Sequence, residues 1–273
     1  VVFSPFYENY GADAILSGAE PIYVPLVPPA FSFNPDVLED AFRQPGVKAL
    51  ILCNPSNPSG KVFTREELTI IADLAKKYDL YVITDEVYEH ILYKPHEHVY
   101  MATLPGMRER TIICSSLSKT YSITGWRIGY VIASPDITER VKKVHDFLTI
   151  GAAAPLMEAV VVGLNFGDEY YEELQQHYTH MKELFCGGLR NIGLSFVEPQ
   201  GAYYVMVDIS EFGYGNDYDF AVDLARKVGV GSVPGSSFFK EDVHDYVRFH
   251  FAKKDETLKA ALDRLAEIRN KMK

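Results

Sequence analysis

The stretch Cys114-Ser-Ser-Leu-Ser-Lys-Thr-Tyr-Ser-Ile-Thr-Gly-Trp-Arg-Ile-Gly-Tyr130 decides how the rest of the chain is read. A short apolar run from Thr111 to Ile113 opens into hydroxyl residues, one lysine, a glycine and an arginine, and an apolar run resumes at Ile128. Lys119 stands three residues after Ser116 and eight before Arg127. Arginine forks onto phosphate oxygens, hydroxyls complete such a cage, and the lysine amine is left for covalent chemistry. A solvated hydroxyl-rich loop with a surface lysine is the plainer reading of the same residues. The surrounding chain decides between them.

Residues 47–53 form an apolar run that reads as a buried strand, broken by Asn54-Pro-Ser-Asn-Pro-Ser-Gly60. Thr64 and Glu67 have the spacing of a capping box and open a helix with Leu68, Ile71, Leu74 and Ala75 on one face. Residues 80–84 give the next strand, ending at Asp85-Glu86, and residues 111–114 the strand that delivers Lys119. Strands alternating with helices, the strands nearly continuous in apolar residues, predict an α/β fold with a mostly parallel sheet covered by helices on both faces. Three successive strands then run into polar residues at their carboxyl ends: Asn54 and Asn57, Asp85, and Ser116 with Lys119. In open α/β sheets that edge is where ligands bind.

Upstream, residues 2–10 lead from a strand into a turn, 11–19 read as a helix, 21–26 as a strand and 36–42 as a helix. Downstream, helices are expected over 136–148, 155–164 and 168–189, then strands of a smaller sheet at 196–197 and 201–208. A helix over 217–228, short strands at 230–233 and 246–251, and an amphipathic helix over 255–273 complete the chain. The change of character places a domain boundary near residue 165, giving a large domain over 1–165 and a smaller α+β domain over 166–273. Val1-Val-Phe3 reads as the tail of a strand, so the natural chain is expected to begin upstream of it.

The chain has 273 residues with 27 basic and 37 acidic side chains, a formal net charge of −10. That balance argues against nucleic acid or an anionic membrane surface as the main partner, while leaving room for an anionic cofactor held by a few arginines. Cys53, Cys114 and Cys186 lie far apart without CxxC spacing, which points to a reducing, cytoplasmic setting with neither disulfides nor a zinc site. Cys53 and Cys114 end apolar runs and are expected to act as small core hydrophobes. No apolar run approaches the ~18 residues a membrane helix needs.

Each candidate residue has a plainer alternative. Asp85 either caps the turn after its strand or faces a protonated ring nitrogen and keeps it cationic; Tyr88 stands three positions on and can donate to a phenolate oxygen of the same ring. The loop at 54–60 is a rigid connection, or its prolines fix the direction of an Asn57 amide toward a ligand oxygen. Arg248, on an alternating strand with His250, is a surface arginine or a bidentate clamp for a carboxylate. His96 and His98, and His177 and His180, have spacings that metals sometimes use, but a polar loop and a solvated helix face explain them better, and no metal is expected. Gly60-Lys61 lacks the earlier glycine of a P-loop, and Gly229-Val-Gly231 is not a dinucleotide fingerprint.

Taken together, Asn54-Pro-Ser-Asn-Pro-Ser-Gly60, Asp85-Glu-Val-Tyr88, Ser116-Leu-Ser-Lys119, Thr124-Gly-Trp-Arg-Ile-Gly129, Gly201-Ala-Tyr-Tyr204, Pro234-Gly-Ser-Ser237 and Arg248 resemble, in order, the class I/II aminotransferases of fold type I. The resemblance implies pyridoxal 5′-phosphate as cofactor, bound as an aldimine to Lys119, with Asp85 on the pyridinium nitrogen and Asn57 and Tyr88 on the ring oxygen. It implies that Ser116 and Arg127 hold the phosphate, that Tyr7 stacks on the ring, and that Arg248, with Asn57, binds the substrate. The activity it implies moves an amino group between an α-amino acid and a 2-oxo acid in a homodimer. Three alternatives share the motifs: a C–S lyase, a decarboxylase, and a truncated relic without turnover. The family's glycine-containing phosphate loop belongs upstream of Val1, so weaker cofactor binding than in a longer parent is expected. Ser59 stands where the family more often has Thr, and Phe239 where it has Gly. The segment 143–149 leans toward relatives that take aromatic or sulfur-containing amino acids.

Overall fold

A computed structural model describes residues Val1–Met272. In chain order its elements are β1 (Val2–Ser4), α1 (Asn9–Leu16), β2 (Tyr23–Pro25), α2 (Pro35–Arg43), β3 (Ala49–Cys53), α3 (Arg65–Lys77), β4 (Tyr81–Asp85) and β5 (Thr111–Ser116). There follow α4 (Leu117–Thr120), β6 (Gly129–Ile132), α5 (Pro135–Thr149), α6 (Ala154–Leu164), α7 (Asp168–Ile192), β7 (Tyr204–Asp208) and α8 (Asp217–Asp223). The chain ends with β8 (Val233–Pro234), β9 (Tyr246–His250), α9 (Asp255–Leu265) and α10 (Ile268–Lys271).

The chain packs as two compact units. One holds Val1, Pro35–Pro55 and Val62–Gln175; the other holds Val2–Asn34, Ser56–Lys61 and the chain from Gln176 onward. The division by packing is therefore discontinuous, where the sequence reading sets a single boundary near residue 165.

The first unit is built on β3, β4 and β5 in parallel, with Ala49 opposite Tyr81 and Val82 opposite Thr111. Leu50, Leu52, Val82 and Thr84 are buried, whereas Ile51, Cys53, Ile83 and Asp85 are half-buried, so a continuous apolar run still resolves into two unequal faces. Leu68, Ile71, Ala72 and Ala75 of α3 are buried, the stripe that the 3.6-residue period implies. The capping box forms: Thr64 Oγ1 accepts from the Glu67 N–H at 3.2 Å, and the Thr64 N–H donates to Glu67 Oε2 at 2.9 Å.

β6 is an antiparallel member, which the expected mostly parallel sheet allows. It pairs antiparallel with β5, Ser116 opposite Gly129 and Ile113 opposite Ile132. Gly129 is needed there, because a Cβ on it would lie 2.7 Å from the Ser115 carbonyl oxygen.

In the second unit β1 and β2 run parallel, Val2 opposite Tyr23. A separate antiparallel sheet has the order β7-β9-β8. Phe185, Val205, Phe220, Leu224, Phe238 and Leu265 are buried in this unit. The strand expected at 196–197 is a single bridge from Phe196 to Val207. The helix expected over 217–228 is α8 followed by a π turn at Leu224–Val228. The helix expected over 255–273 divides into α9 and α10, and Lys273 lies outside the described residues. No helix among the described residues is long and apolar enough to cross a membrane.

Removing the cap tests whether α3 is held as described: Thr64→Ala should lower unfolding stability by about 1 kcal/mol, read as a shift of the urea midpoint at unchanged slope.

Candidate active site

In the first unit the site begins where β4 and β5 end. Asp85 is the last residue of β4 and pairs in register with Cys53 on one side and Cys114 on the other. Neighbours in register share a face, so a carboxylate stands in a row between two thiols. Neither cysteine is the core residue that the sequence suggests; both are half-buried, and none of the three forms a disulfide. Burial, with Asp85 and Glu86 adding to it, pushes the Cys114 thiol up to about 11, so it stays protonated at neutral pH.

Asp85 does cap the following turn, since its Oδ1 accepts the Val87 N–H at 3.2 Å. Tyr88 is buried, 3% exposed.

β5 turns into α4 at Ser116, whose Oγ accepts the Ser118 N–H at 3.1 Å as an N-cap. Ser116 Oγ also approaches Ser118 Oγ at 2.6 Å and the Ile128 carbonyl at 3.2 Å. Lys119 lies on α4 and is neither buried nor fully exposed, while Ser118 and Thr120 beside it are buried. Lys119 therefore sits on a short helix and not in a solvated loop, whereas Ser122 and the residues from Thr124 to Arg127 are exposed.

Lys119's amine is held below its ordinary range, first by burial and then by the positive charge of Arg127, while Asp85 pulls it back upward. Those three causes put the amine, the guanidinium and the carboxylate in one electrostatic neighbourhood. Arg127 follows the short 3₁₀ turn Thr124–Trp126 in the left-handed region, φ 57° and ψ 47°, and its Nη1 donates to the Thr124 carbonyl at 2.9 Å. A non-glycine residue in that region carries backbone strain.

The second unit brings together Asn57 and Arg248. The Ser56 N–H bonds the Lys61 carbonyl and the Gly60 N–H bonds the Ser56 carbonyl, which closes the loop around Asn57. Gly60 has φ 69°, and its carbonyl accepts from both Gln200 and Gly201. Arg248 Nη1 donates to Asn57 Oδ1 at 2.5 Å. The Arg248 guanidinium carbon lies 4.4 Å from the Tyr204 ring centroid and 4.3 Å from that of Phe238. It is half-buried, not the surface arginine of the plainer reading. Tyr7, also in this unit, is exposed and meets Tyr10 edge-on at 5.7 Å.

Two groups escaped the sequence reading. Asp217 is fully buried and accepts the Ser236 N–H at 2.5 Å, so it anchors the Pro234–Ser237 turn. His98, read as part of a polar loop, has a buried side chain 3.0 Å from Glu86 Oε2. A strand-end Asp-Glu pair followed by histidines in coil was the available signal.

Known proteins match this chain over most of its length. The family model for aminotransferase class I and II matches residues 1–265. The probable N-succinyldiaminopimelate aminotransferase DapC of Mycobacterium tuberculosis is 34% identical over 281 residues, covering 98% of this chain and 70% of that protein. Kynurenine–oxoglutarate transaminase 3 of Rattus norvegicus is 33% identical over 291 residues, covering 96% of this chain and 64% of that protein. Among solved structures, an aromatic aminotransferase from Pyrococcus horikoshii superposes with a TM-score of 0.92 at 33% identity, covering 100% of this chain and 74% of that one.

The electrostatics of Lys119 can be read by chemical modification of its amine across pH. Arg127→Gln removes a charge that lowers its pKa, so Lys119 should react more slowly at fixed pH; Asp85→Asn removes a charge that raises it, so Lys119 should react faster. The two variants should move the modification rate in opposite directions.

Proposed function

The chain belongs to the aminotransferase class I and II family, pyridoxal 5′-phosphate-dependent enzymes of fold type I that transfer amino groups, and from this we propose what its individual residues do. The observation that carries the reading is Lys119, half-buried on α4 directly after β5, with Asp85 at the end of the neighbouring strand β4 in register with Cys114 of β5. A primary amine, a carboxylate, a hydroxyl and a guanidinium at the ends of two strands form the donor set that a phosphorylated pyridine aldehyde needs, so the residues fit the cofactor. When bound, pyridoxal 5′-phosphate supplies an electron sink for the charge left at the substrate Cα.

The protein's part is to hold groups and move protons. Lys119 Nζ takes the proton from the substrate Cα. A lowered pKa gives it a larger neutral fraction near pH 7, as a general base requires. Asp85 keeps a negative charge against the ring nitrogen. Ser116 and Arg127 hold the phosphate, and Tyr7 stacks on the ring. Tyr88 and Asn57 donate to the ring oxygen. Asn57's oxygen is already taken by Arg248, so the amide hydrogens are what it offers. Arg248 presents its fork to the substrate α-carboxylate. In this assignment residues 1–165 handle the cofactor and 166–273 carry the carboxylate clamp.

The donor is an α-amino acid with an aromatic or sulfur-containing side chain and the acceptor a 2-oxo acid, in line with segment 143–149 and with the kynurenine transaminases among the relatives. We place the enzyme in the cytoplasm, as its cysteine usage suggests. It acts as a homodimer: Val144, Phe147, Leu148 and Ile150 on and just after α5 are exposed, Phe147 by 92%, and contiguous apolar surface of that kind marks an interface. Sedimentation should show a dimer; a monomer at all concentrations overturns that assignment.

The functional test is direct. Adding pyridoxal 5′-phosphate should give a visible absorbance change that Lys119→Ala abolishes, with the formation of oxo acid from the donor falling by roughly a thousandfold. In the same assay Arg248→Met should raise the KM for the donor and leave the absorbance change in place. Ammonia and pyruvate in place of oxo acid would move the chain to elimination chemistry.

A further inference from the structure

Thr84 and Glu86 flank Asp85 in sequence and, by strand alternation, face away from it. Both are buried, each 1% exposed. Thr84 Oγ1 donates to Glu86 Oε1 at 2.7 Å, and His98 Nε2 lies 3.0 Å from Glu86 Oε2.

The proton positions follow from the neighbours. Asn54 is buried, and its Oδ1 accepts the Phe63 N–H at 3.1 Å. A backbone N–H can only donate, so this atom of Asn54 is the oxygen, and the other is the amide nitrogen. That nitrogen, a donor only, faces His98 Nδ1 at 3.5 Å. Nδ1 must therefore offer a lone pair, and the single proton of a neutral ring sits on Nε2, aimed at Glu86. An imidazolium would set one N–H against another at Asn54. Tyr100 packs edge-on to the imidazole at 4.5 Å and 86°, which holds the ring plane.

Both ends of this chain return to β4. Glu86 follows the strand directly, and the Asn54 N–H donates to the Asp85 carbonyl at 3.0 Å. The hydrogen bonds close a circuit around the last residue of the strand. Glu86, Glu89 and His98 also offer ligand atoms within 4.8 Å of one another. Hydroxyls of Thr84, Tyr100, Ser115 and Tyr130 already approach those carboxylates as donors, which makes this a hydrogen-bonded network.

We propose that His98 is a positioning residue: held as the neutral Nε2–H ring between Asn54 and Glu86, it fixes the end of β4 and so the direction in which Asp85 projects. The proposal rests on the role given to Asp85 above.

The full chain, loaded with pyridoxal 5′-phosphate and carrying nitrogen-15 histidine, tests the ring state. The signals that disappear in His98→Gln should show a protonated Nε2 and a bare Nδ1 at neutral pH; a doubly protonated ring, or a proton on Nδ1 alone, overturns the proposal. His98→Ala should weaken coenzyme affinity by about fivefold to tenfold and alter the coenzyme's visible spectrum. His98→Gln, whose amide N–H reaches toward Glu86, should restore most of both. Equal losses in the two variants, or none in a folded His98→Ala, overturn it. If His98→Ala does not fold, Glu86→Gln decides: an amide oxygen still accepts from Nε2–H, so its affinity loss should stay below about twofold, and a loss above about tenfold would mean an imidazolium pair and sink the idea. Should Asp85→Asn leave coenzyme affinity and spectrum unchanged, the role of Asp85 fails while the nitrogen-15 result on His98 still stands or falls by itself.

Discussion

The parallel register of β4 on β5 is the constraint from which the first unit's chemistry follows. Asp85 stands opposite Cys114, and the ladder continues one step further as the Glu86 N–H bonds the Cys114 carbonyl at 2.9 Å. β5 ends two residues later at Ser116, and α4 carries Lys119 less than one turn beyond. Backbone pairing, not side-chain adjustment, therefore sets the offset between the carboxylate and the amine. A slip of one residue would exchange Asp85 for Thr84 or Glu86 on the working face, because side chains alternate along a strand. The sheet has to be right to the residue for the electrostatics to exist.

Those electrostatics oppose one another by design of position. Burial and Arg127 drive Lys119 toward its neutral form, and Asp85 drives it back. A guanidinium cannot lose its proton, so its influence on the amine is constant across the working pH range. Holding Arg127 there costs the chain a left-handed residue, of the order of 1 kcal/mol. The turn is kept in place from its far side: the Leu117 N–H bonds the Ile128 carbonyl at 3.2 Å, and Gly129 lets β6 close onto Ser115 where any side chain would collide. The antiparallel edge strand thus secures the arginine rather than merely extending the sheet.

How much of this was legible in the sequence depends on the range of the interaction responsible. The strand runs that end at Cys53, Asp85 and Ser116, and the Thr64–Glu67 cap, are local patterns, and they appear where the periodicity puts them. The direction of β6 was not legible, since Ile128 to Ile132 is an apolar run whichever way its partner points. Nor was the discontinuous packing, in which residues 2–34 and 56–61 join the chain from Gln176 onward. His98 lies in coil, as read, but its buried partners were not legible: Glu86 stands twelve residues earlier and Asn54 forty-four residues earlier. Long-range partners leave no period in the chain.

The second unit shows how one hydrogen bond assigns two residues at once. Arg248 has donors only, so its 2.5 Å contact fixes the Asn57 atom it meets as the oxygen. The amide hydrogens must then face elsewhere, and the closed turn from Ser56 to Lys61 leaves the side chain no second orientation without losing that bond. The Tyr204 and Phe238 rings both lie within cation–π distance of the guanidinium, at 4.4 Å and 4.3 Å. The edge of a guanidinium is where a carboxylate binds in bidentate fashion. Lysine beside those two rings would keep the charge and lose the planar fork, so the site suits the shape of arginine as much as its sign.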